Sequence, residues 1–108
     1  MRGRDERVGA VFQALADPTR REVVAQLSTS GPVTATELAG RLPVTRQAVA
    51  KHLAALEGAG LVASARSGRE VRYHLTPSPM RETVTWMAAV GAEWDDRLDA
   101  LQLHLGSR

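Results

Sequence analysis

Hydrophobic residues recur at helical spacing at the start of the chain. Four apolar side chains lie on one face of a helix if residues 5–16 are helical, and they predict an amphipathic helix there: Val8, Val11, Phe12 and Leu15. Residues 1–7 are interpreted as a flexible N-terminal arm. Asp17 and Pro18 suit the N-cap and the first turn of a helix, so they predict a second helix that reaches about Leu27.

Two further cap signals predict a pair of helices joined by a turn. Thr34 and Glu37 form a capping box for a short third helix, which Pro43 ends. Thr45 is the predicted N-cap of a fourth helix over residues 45–58. One face of that helix is expected to pack in the core through Val49, Leu53 and Leu56. The opposite face carries polar and small side chains: Arg46, Gln47, Ala50, Lys51 and Ala54.

The hydrophobic period changes to two after Leu61. Apolar and polar residues alternate between Arg69 and Leu75, and Ser67-Gly68 supplies a turn. Residues 61–76, called the wing below, therefore predict a two-stranded hairpin. Three arginines surround its tip: Arg66, Arg69 and Arg72.

A long last helix is predicted over residues 78–105, with Ser78 as its N-cap and Pro79 in its first turn. An apolar seam runs along it at alternating spacings of four and three residues, as at the a and d positions of a coiled coil: Met80, Val84, Met87, Gly91, Trp94, Leu98, Leu101 and Leu105. One interpretation is that this seam packs back onto the first helix. We favour a dimer interface, which Trp86 and Val90 would widen.

Composition and charge narrow the class of protein. The 108 residues, 44% apolar and 24% charged, are expected to form a single domain, residues 1–108. No stretch approaches the roughly 18 apolar residues of a membrane span, and no secretory signal is recognised, so we expect a cytoplasmic protein. The chain has no cysteine, which excludes disulfides and thiolate metal sites. Residues 1–76 carry a net charge of +4 and residues 77–108 carry −2, which indicates a polyanionic partner for the first part only.

The order of the predicted elements is typical of a winged helix-turn-helix, a mainly α fold with a small β-hairpin. The fourth helix would be the recognition helix in the DNA major groove. Arg46 suits guanine, Gln47 suits adenine, and the small Ala50 permits close approach. Lys51 adds a positive charge to this face, and Thr45 can bond a phosphate at the helix start. The wing arginines can reach phosphates or the minor groove beside it.

Five blocks of the sequence carry a family resemblance: ALADPTRR at 14–21, ELA at 37–39, QAVAKHLAAL at 47–56, AGLV at 59–62 and GREVRYHL at 68–75. Together they resemble the ArsR (SmtB) family of bacterial repressors over residues 8–76. The resemblance implies a homodimeric winged-helix repressor that binds a palindromic operator and releases it on sensing a signal. It also implies that the terminal helices form the dimer.

The sequence departs from the metal-sensing members of that family. Many of those carry a pair of cysteines in the third helix, where this chain has Ala39 and Arg41. Others use histidines and carboxylates on the last helix, which here offers His104, and Asp95 and Asp99 one turn apart. We therefore expect no metal, no cofactor and a place in the metal-independent branch, while a composite site shared by two chains stays open.

These observations favour a sequence-specific DNA-binding transcriptional regulator and not an enzyme, since no nucleophile–base pair or phosphate loop stands out. We expect a homodimeric repressor of a palindromic operator, which can include its own operon. The expected partners are double-stranded DNA and a second copy of the chain, with no membrane and an unknown small-molecule effector. The alternative is a winged-helix module that binds proteins, although such a module is expected to lack Arg46, Lys51 and the wing arginines.

Overall fold

The computed structural model describes residues 2–106, and it has the expected mainly α fold with a small sheet. The described part forms five helices and three strands, in the order α1 (Arg2–Ala14), α2 (Pro18–Ser30), β1 (Val33–Thr34), α3 (Ala35–Ala39), α4 (Arg46–Gly58), β2 (Val62–Ser67), β3 (Glu70–Leu75) and α5 (Pro77–Gly106).

Side-chain caps begin α2, α3 and α4 where the sequence predicts them. The carboxylate of Asp17 accepts hydrogen bonds from the backbone nitrogens of Thr19 and Arg20 at the start of α2. At α3, Thr34 Oγ1 accepts from Glu37 N at 3.1 Å, while Glu37 Oε1 accepts from Thr34 N at 3.0 Å. The predicted capping box is therefore confirmed. Each bond satisfies a backbone N–H that has no partner inside the helix.

One buried cluster joins α1, α2, α3, α4 and the base of the wing. Val49, Leu53 and Leu56 of α4 are all fully buried in it, as their helical spacing predicts. The cluster also includes Val11, Val23, Leu27, Val33, Leu38, Leu61 and Val62. Because apolar burial is the largest favourable term in folding, this cluster fixes the face that α4 turns away from the core.

The sheet has three strands in the order β1-β3-β2, not the two of the predicted hairpin. Both pairings are antiparallel, and β1 pairs Val33 with Tyr73 and Thr34 with Arg72. The sequence prediction missed β1 because two residues are too few to show a period of two. Strand β1 directly precedes α3, so its pairing with β3 attaches the wing to the start of that helix.

Several predicted boundaries are wrong, among them the end of α3, which lies at Ala39 and not just before Pro43. Residues 2–7 form the first turns of α1 and not a flexible arm, and the ion pair between Arg7 and Glu82 holds them against α5; Met1 lies outside the described residues. The last helix begins at Pro77 and not after a Ser78 cap. Proline is as suitable at one position of a first turn as at the next, so the sequence could not distinguish the two starts.

Candidate nucleic-acid interface

Helix α4, the predicted recognition helix, presents its polar face to solvent. Thr45 caps it by accepting a hydrogen bond from Ala48 N at 3.1 Å, and its hydroxyl proton stays available to donate. The opposite side of the helix is fixed in the core by the three buried residues named above. The side chains of α4 that are predicted to meet DNA are all exposed: Arg46, Gln47, Ala50 and Lys51.

Arg46 is tied to the preceding helix. Its Nε donates a hydrogen bond to Thr36 Oγ1 at 2.9 Å, which joins the first residue of α4 to the second residue of α3. Sequence reasoning did not identify Thr36 as a functional residue. No local pattern marks this contact, because it depends on how the connection between Ala39 and Arg46 places α3 against α4.

The wing ends in a two-residue turn. Ser67 pairs with Glu70 in the last rung between β2 and β3, so Gly68 and Arg69 alone make the reversal. Gly68 has φ +63°, a conformation that costs other residues energy and that glycine adopts freely. Arg66 and Arg69 are both exposed at this tip.

A cleft of about 540 Å³ lies between the start of α3, the first turn of α4 and the wing. We call it the wing cleft. It brings Arg46 of the recognition helix and Arg69 of the wing tip onto one surface, although they are distant in sequence. Its other lining residues include Thr34, Thr36, Glu37, Glu70 and Tyr73. The structure thus joins two of the predicted DNA-binding residues, while Gln47, Lys51 and Arg66 are exposed outside the cleft lining.

Arg72 has a different setting from the one predicted. Its guanidinium donates to Glu37 Oε1 at 3.3 Å, to Glu70 Oε1 at 3.0 Å and to the carbonyl oxygen of Pro32 at 3.3 Å. Two carboxylates therefore balance its charge, and the side chain ties the wing to α3 instead of standing free as a phosphate ligand. Backbone and hydroxyl hydrogen bonds from Thr34 lower the pKa of Glu37, and the charge of Arg72 lowers it further.

The first turns of α5 lie against α1 through one stripe of side chains. Arg7 Nε and Nη2 donate to the two carboxylate oxygens of Glu82 at 2.8 and 2.9 Å. The rings of Phe12 and Trp86 meet edge to face with centroids 5.7 Å apart. On α5, Thr83 lies between Glu82 and Trp86 in the sequence, and its side chain is buried. Trp86 therefore packs on the chain's own first helix, where the sequence analysis had expected it to widen a dimer interface.

The apolar seam is a different stripe of α5 from the one that carries Glu82 and Trp86 against α1. Met80 contacts the edge of the core, but the larger residues beyond it are roughly half exposed, from 45% for Met87 to 56% for Leu105. Every described residue from Gly91 to Gly106 is exposed. This run includes Trp94, Leu98 and Leu101. An apolar stripe of this length is rare on the surface of a monomer.

The histidines lie on separate elements, with His52 in α4, His74 in β3 and His104 in α5. Among residues 2–106, no three histidine or carboxylate side chains are grouped so as to hold a metal ion. No helix in this described range is both long enough and apolar enough to cross a bilayer.

A buried helix face, an exposed polar face and an adjoining basic wing define a winged helix-turn-helix regulator that binds DNA. Comparisons with known proteins agree. A family profile described as a helix-turn-helix domain, HTH_20, matches residues 15–65. An uncharacterized HTH-type transcriptional regulator of Bacillus subtilis, YuzN, is 48% identical over 66 residues, which cover 56% of this chain and 72% of YuzN.

Two further relatives cover more of the chain. The transcriptional repressor SdpR of Bacillus subtilis is 30% identical over 77 residues, 71% of this chain and 84% of SdpR. The solved structure of an ArsR-like transcriptional regulator from Rhodococcus sp. RHA1 is 44% identical, has a TM-score of 0.80 and covers 94% of both chains. The chain belongs to the ArsR (SmtB) family of winged helix-turn-helix transcriptional regulators, which are not enzymes.

Proposed function

We propose that this protein is a homodimeric, sequence-specific repressor that binds a palindromic operator without a metal ion. The observation that carries the proposal is the wing cleft, where Arg46 and Arg69 face the same side of the molecule. A recognition helix in the major groove would bring the wing alongside it to the neighbouring backbone. The two basic elements then bind one continuous stretch of DNA.

Each exposed residue of this surface has a distinct role. Arg46 and Gln47 read base edges, Lys51 adds charge, and Ala50 lets the helix approach the groove closely. The hydroxyl of Thr45 donates to a phosphate. Arg66 and Arg69 contact the backbone or the minor groove, where they supply affinity with little sequence preference. Arg72 positions the wing instead of binding DNA, because Glu37 and Glu70 already neutralise it.

The dimer forms through the apolar seam of α5. Two identical chains paired by a twofold axis present two identical recognition helices, and such an arrangement matches a palindromic operator. Burial of half-exposed leucines and a tryptophan on this helix supplies the driving force for association. Repression follows the precedent of SdpR, which is named a transcriptional repressor.

We further propose a place in the metal-independent branch of the family, because the chain contains no cysteine and has Ala39 and Arg41 in place of the cysteine pair of many metal sensors. Its own operon is a natural target, and binding to chromosomal DNA requires a cytoplasmic location.

Binding to DNA from upstream of the protein's own gene tests this proposal. A fluorescent fragment would be titrated at two salt concentrations, with random DNA as competitor and with and without zinc. The proposal predicts tight, salt-sensitive binding that resists the competitor and does not change with zinc. Release of the fragment by zinc would contradict the metal-independent assignment. Binding no tighter than that of random DNA would contradict control of its own operon.

A further inference from the structure

The hydrogen bond between Arg46 and Thr36 fixes a side chain that would otherwise be mobile. Both residues are exposed, and each belongs to a different helix of the helix-turn-helix. We propose that Thr36 is a positioning residue for base recognition: it holds the guanidinium of Arg46 so that only its two terminal nitrogens face the DNA. This inference rests on the proposed function and deepens it.

The donors of the guanidinium determine what Arg46 can read. Arginine carries five N–H donors, one on Nε and two on each Nη. Because Nε donates to Thr36 Oγ1 at 2.9 Å, the lateral pair formed by Nε and one Nη is unavailable. Within the described part of the chain, the two Nη atoms of Arg46 have no hydrogen-bond partner. Arg46 is therefore left with an end-on pair of donors, which matches the O6 and N7 acceptors of guanine.

Preorganisation explains why such a bond raises affinity. A long exposed arginine has many rotamers, and ordering it at the moment of binding opposes association. Thr36 orders the side chain beforehand, since its own backbone is fixed in α3 by the capping box one residue away. The free protein therefore already presents the guanidinium at the wing cleft, and DNA binding loses less entropy.

A purely structural role is a weaker explanation of the contact. The helices α3 and α4 are already joined through one buried cluster that includes Leu38, Val49 and Leu53. A single exposed hydrogen bond between side chains adds little to that packing. Loss of the Thr36 hydroxyl is thus expected to change DNA recognition and to leave thermal stability nearly unchanged.

The test uses full-length protein and the duplex that the wild type enriches most from a randomised DNA pool. Binding is measured for the wild type, Thr36→Val, Thr36→Ser, Arg46→Ala and the double variant Thr36→Val with Arg46→Ala. Valine keeps the shape of threonine without the hydroxyl, and serine keeps the hydroxyl. Each protein is titrated on the enriched duplex and on duplexes with single guanine substitutions, and its melting temperature is recorded.

Thr36→Val is expected to bind the enriched duplex about fivefold more weakly, the effect of losing one hydrogen bond. Its preference should relax at the same guanine as that of Arg46→Ala, and Thr36→Ser should restore it. In the double variant, Thr36→Val should add no further loss, because the group that Thr36 positions is gone.

Four outcomes would overturn the inference. The first is a Thr36→Val variant with the base preference of the wild type. The second is an effect of Thr36→Val that persists undiminished in the Arg46→Ala background, which would indicate a direct phosphate contact by Thr36. A loss of melting temperature that accounts for the weaker binding would indicate a structural role. The absence of any enriched sequence for the wild type would overturn the proposed function itself, together with this inference.

Discussion

Glu37 joins the helix-turn-helix to the wing through a single oxygen atom, which accepts hydrogen bonds from Thr34 N at 3.0 Å and from Arg72 Nη1 at 3.3 Å. One bond caps α3 and the other crosses to β3. The angle of the wing is therefore coupled to the start of the helix that precedes the recognition helix. The cap of α3 needs only an acceptor oxygen at position 37, whereas the ion pair with Arg72 needs a negative charge. Substitutions of Glu37 can therefore distinguish the contributions of the two bonds to stability.

Replacement of Glu37 by glutamine and by alanine should affect thermal stability differently. Glutamine keeps an oxygen that can cap α3 but loses the charge facing Arg72. Alanine loses both. We expect the melting temperature to fall in the order wild type, Glu37→Gln, Glu37→Ala. The difference between wild type and Glu37→Gln should shrink in high salt, which screens exposed ion pairs. Thermal unfolding by circular dichroism at two salt concentrations measures this, and an alanine variant as stable as the wild type would contradict it.

The ion pair between Arg7 and Glu82 should make stability depend on acid pH. The hydrogen bond and charge of Arg7 hold the pKa of Glu82 below its ordinary value of 4.5. The folded state therefore favours the ionised carboxylate, and the stabilisation is fully present above pH 4.5. It is lost as the pH falls through the lower folded pKa.

Glu82→Gln is accordingly expected to be less stable than the wild type at neutral pH and to lose less stability on acidification. Melting temperatures between pH 7 and pH 3 measure both effects. Glu93→Gln, at an exposed position on the same helix, is the matched control and should follow the wild-type curve. Identical curves for Glu82→Gln and the wild type would show that the pair does not stabilise the contact between α1 and α5.

The apolar seam offers a matched pair of substitutions for the dimer. Leu98 lies in the seam and Leu103 lies on the opposite face of α5, and both are at least half exposed in the single chain, at 51% and 76%. A charge at a seam position must be buried on association, whereas one at position 103 stays in water. We expect Leu98→Asp to sediment as a monomer and Leu103→Asp as a dimer. A dimeric Leu98→Asp would move the interface elsewhere.

Arg69 at the wing tip should contribute affinity without specificity. The affinity for DNA falls as salt rises, and the steepness of this fall depends on the number of phosphates that the protein neutralises. Loss of one phosphate contact makes the slope of log affinity against log salt less steep by about one. Arg69→Ala is therefore expected to weaken binding to all sequences similarly and to flatten the salt dependence. Arg81→Ala removes the same charge from α5, outside the wing cleft, and should do neither. A changed base preference in Arg69→Ala would contradict a backbone role.

Local signals allowed much of the fold to be predicted from the sequence. The capping pair Thr34 and Glu37 lies three residues apart, and the buried face of α4 follows a simple helical period, so neighbouring residues are sufficient to find both. Strand β1 is different, because its two residues form a strand only through pairing with Tyr73 and Arg72. The same long-range pairing sets Arg72 beside Glu37, which is why this ion pair could not be predicted from neighbouring residues.

Periodicity also identified the seam on α5, but it could not tell which stripe α1 would cover. The edge-to-face contact of Phe12 with Trp86 and the ion pair of Arg7 with Glu82 decide this, and both join residues more than seventy positions apart. The sequence contains the partners but no signal for their pairing. The exposed polar face of α4 was predictable, whereas the bond that fixes Arg46 to Thr36 needed the turn between the helices to be known.

The central claim is that the first turn of α4 reads DNA sequence, and alanine substitution of Arg46 and Gln47 tests it most directly. Affinities of both variants and the wild type would be measured on the enriched duplex and on its single-base variants. We predict a loss of about 1–3 kcal/mol on the enriched duplex for each substitution, with preference relaxed at one base position. If either variant bound that duplex as tightly and as selectively as the wild type, the assignment of α4 as the recognition helix would be wrong.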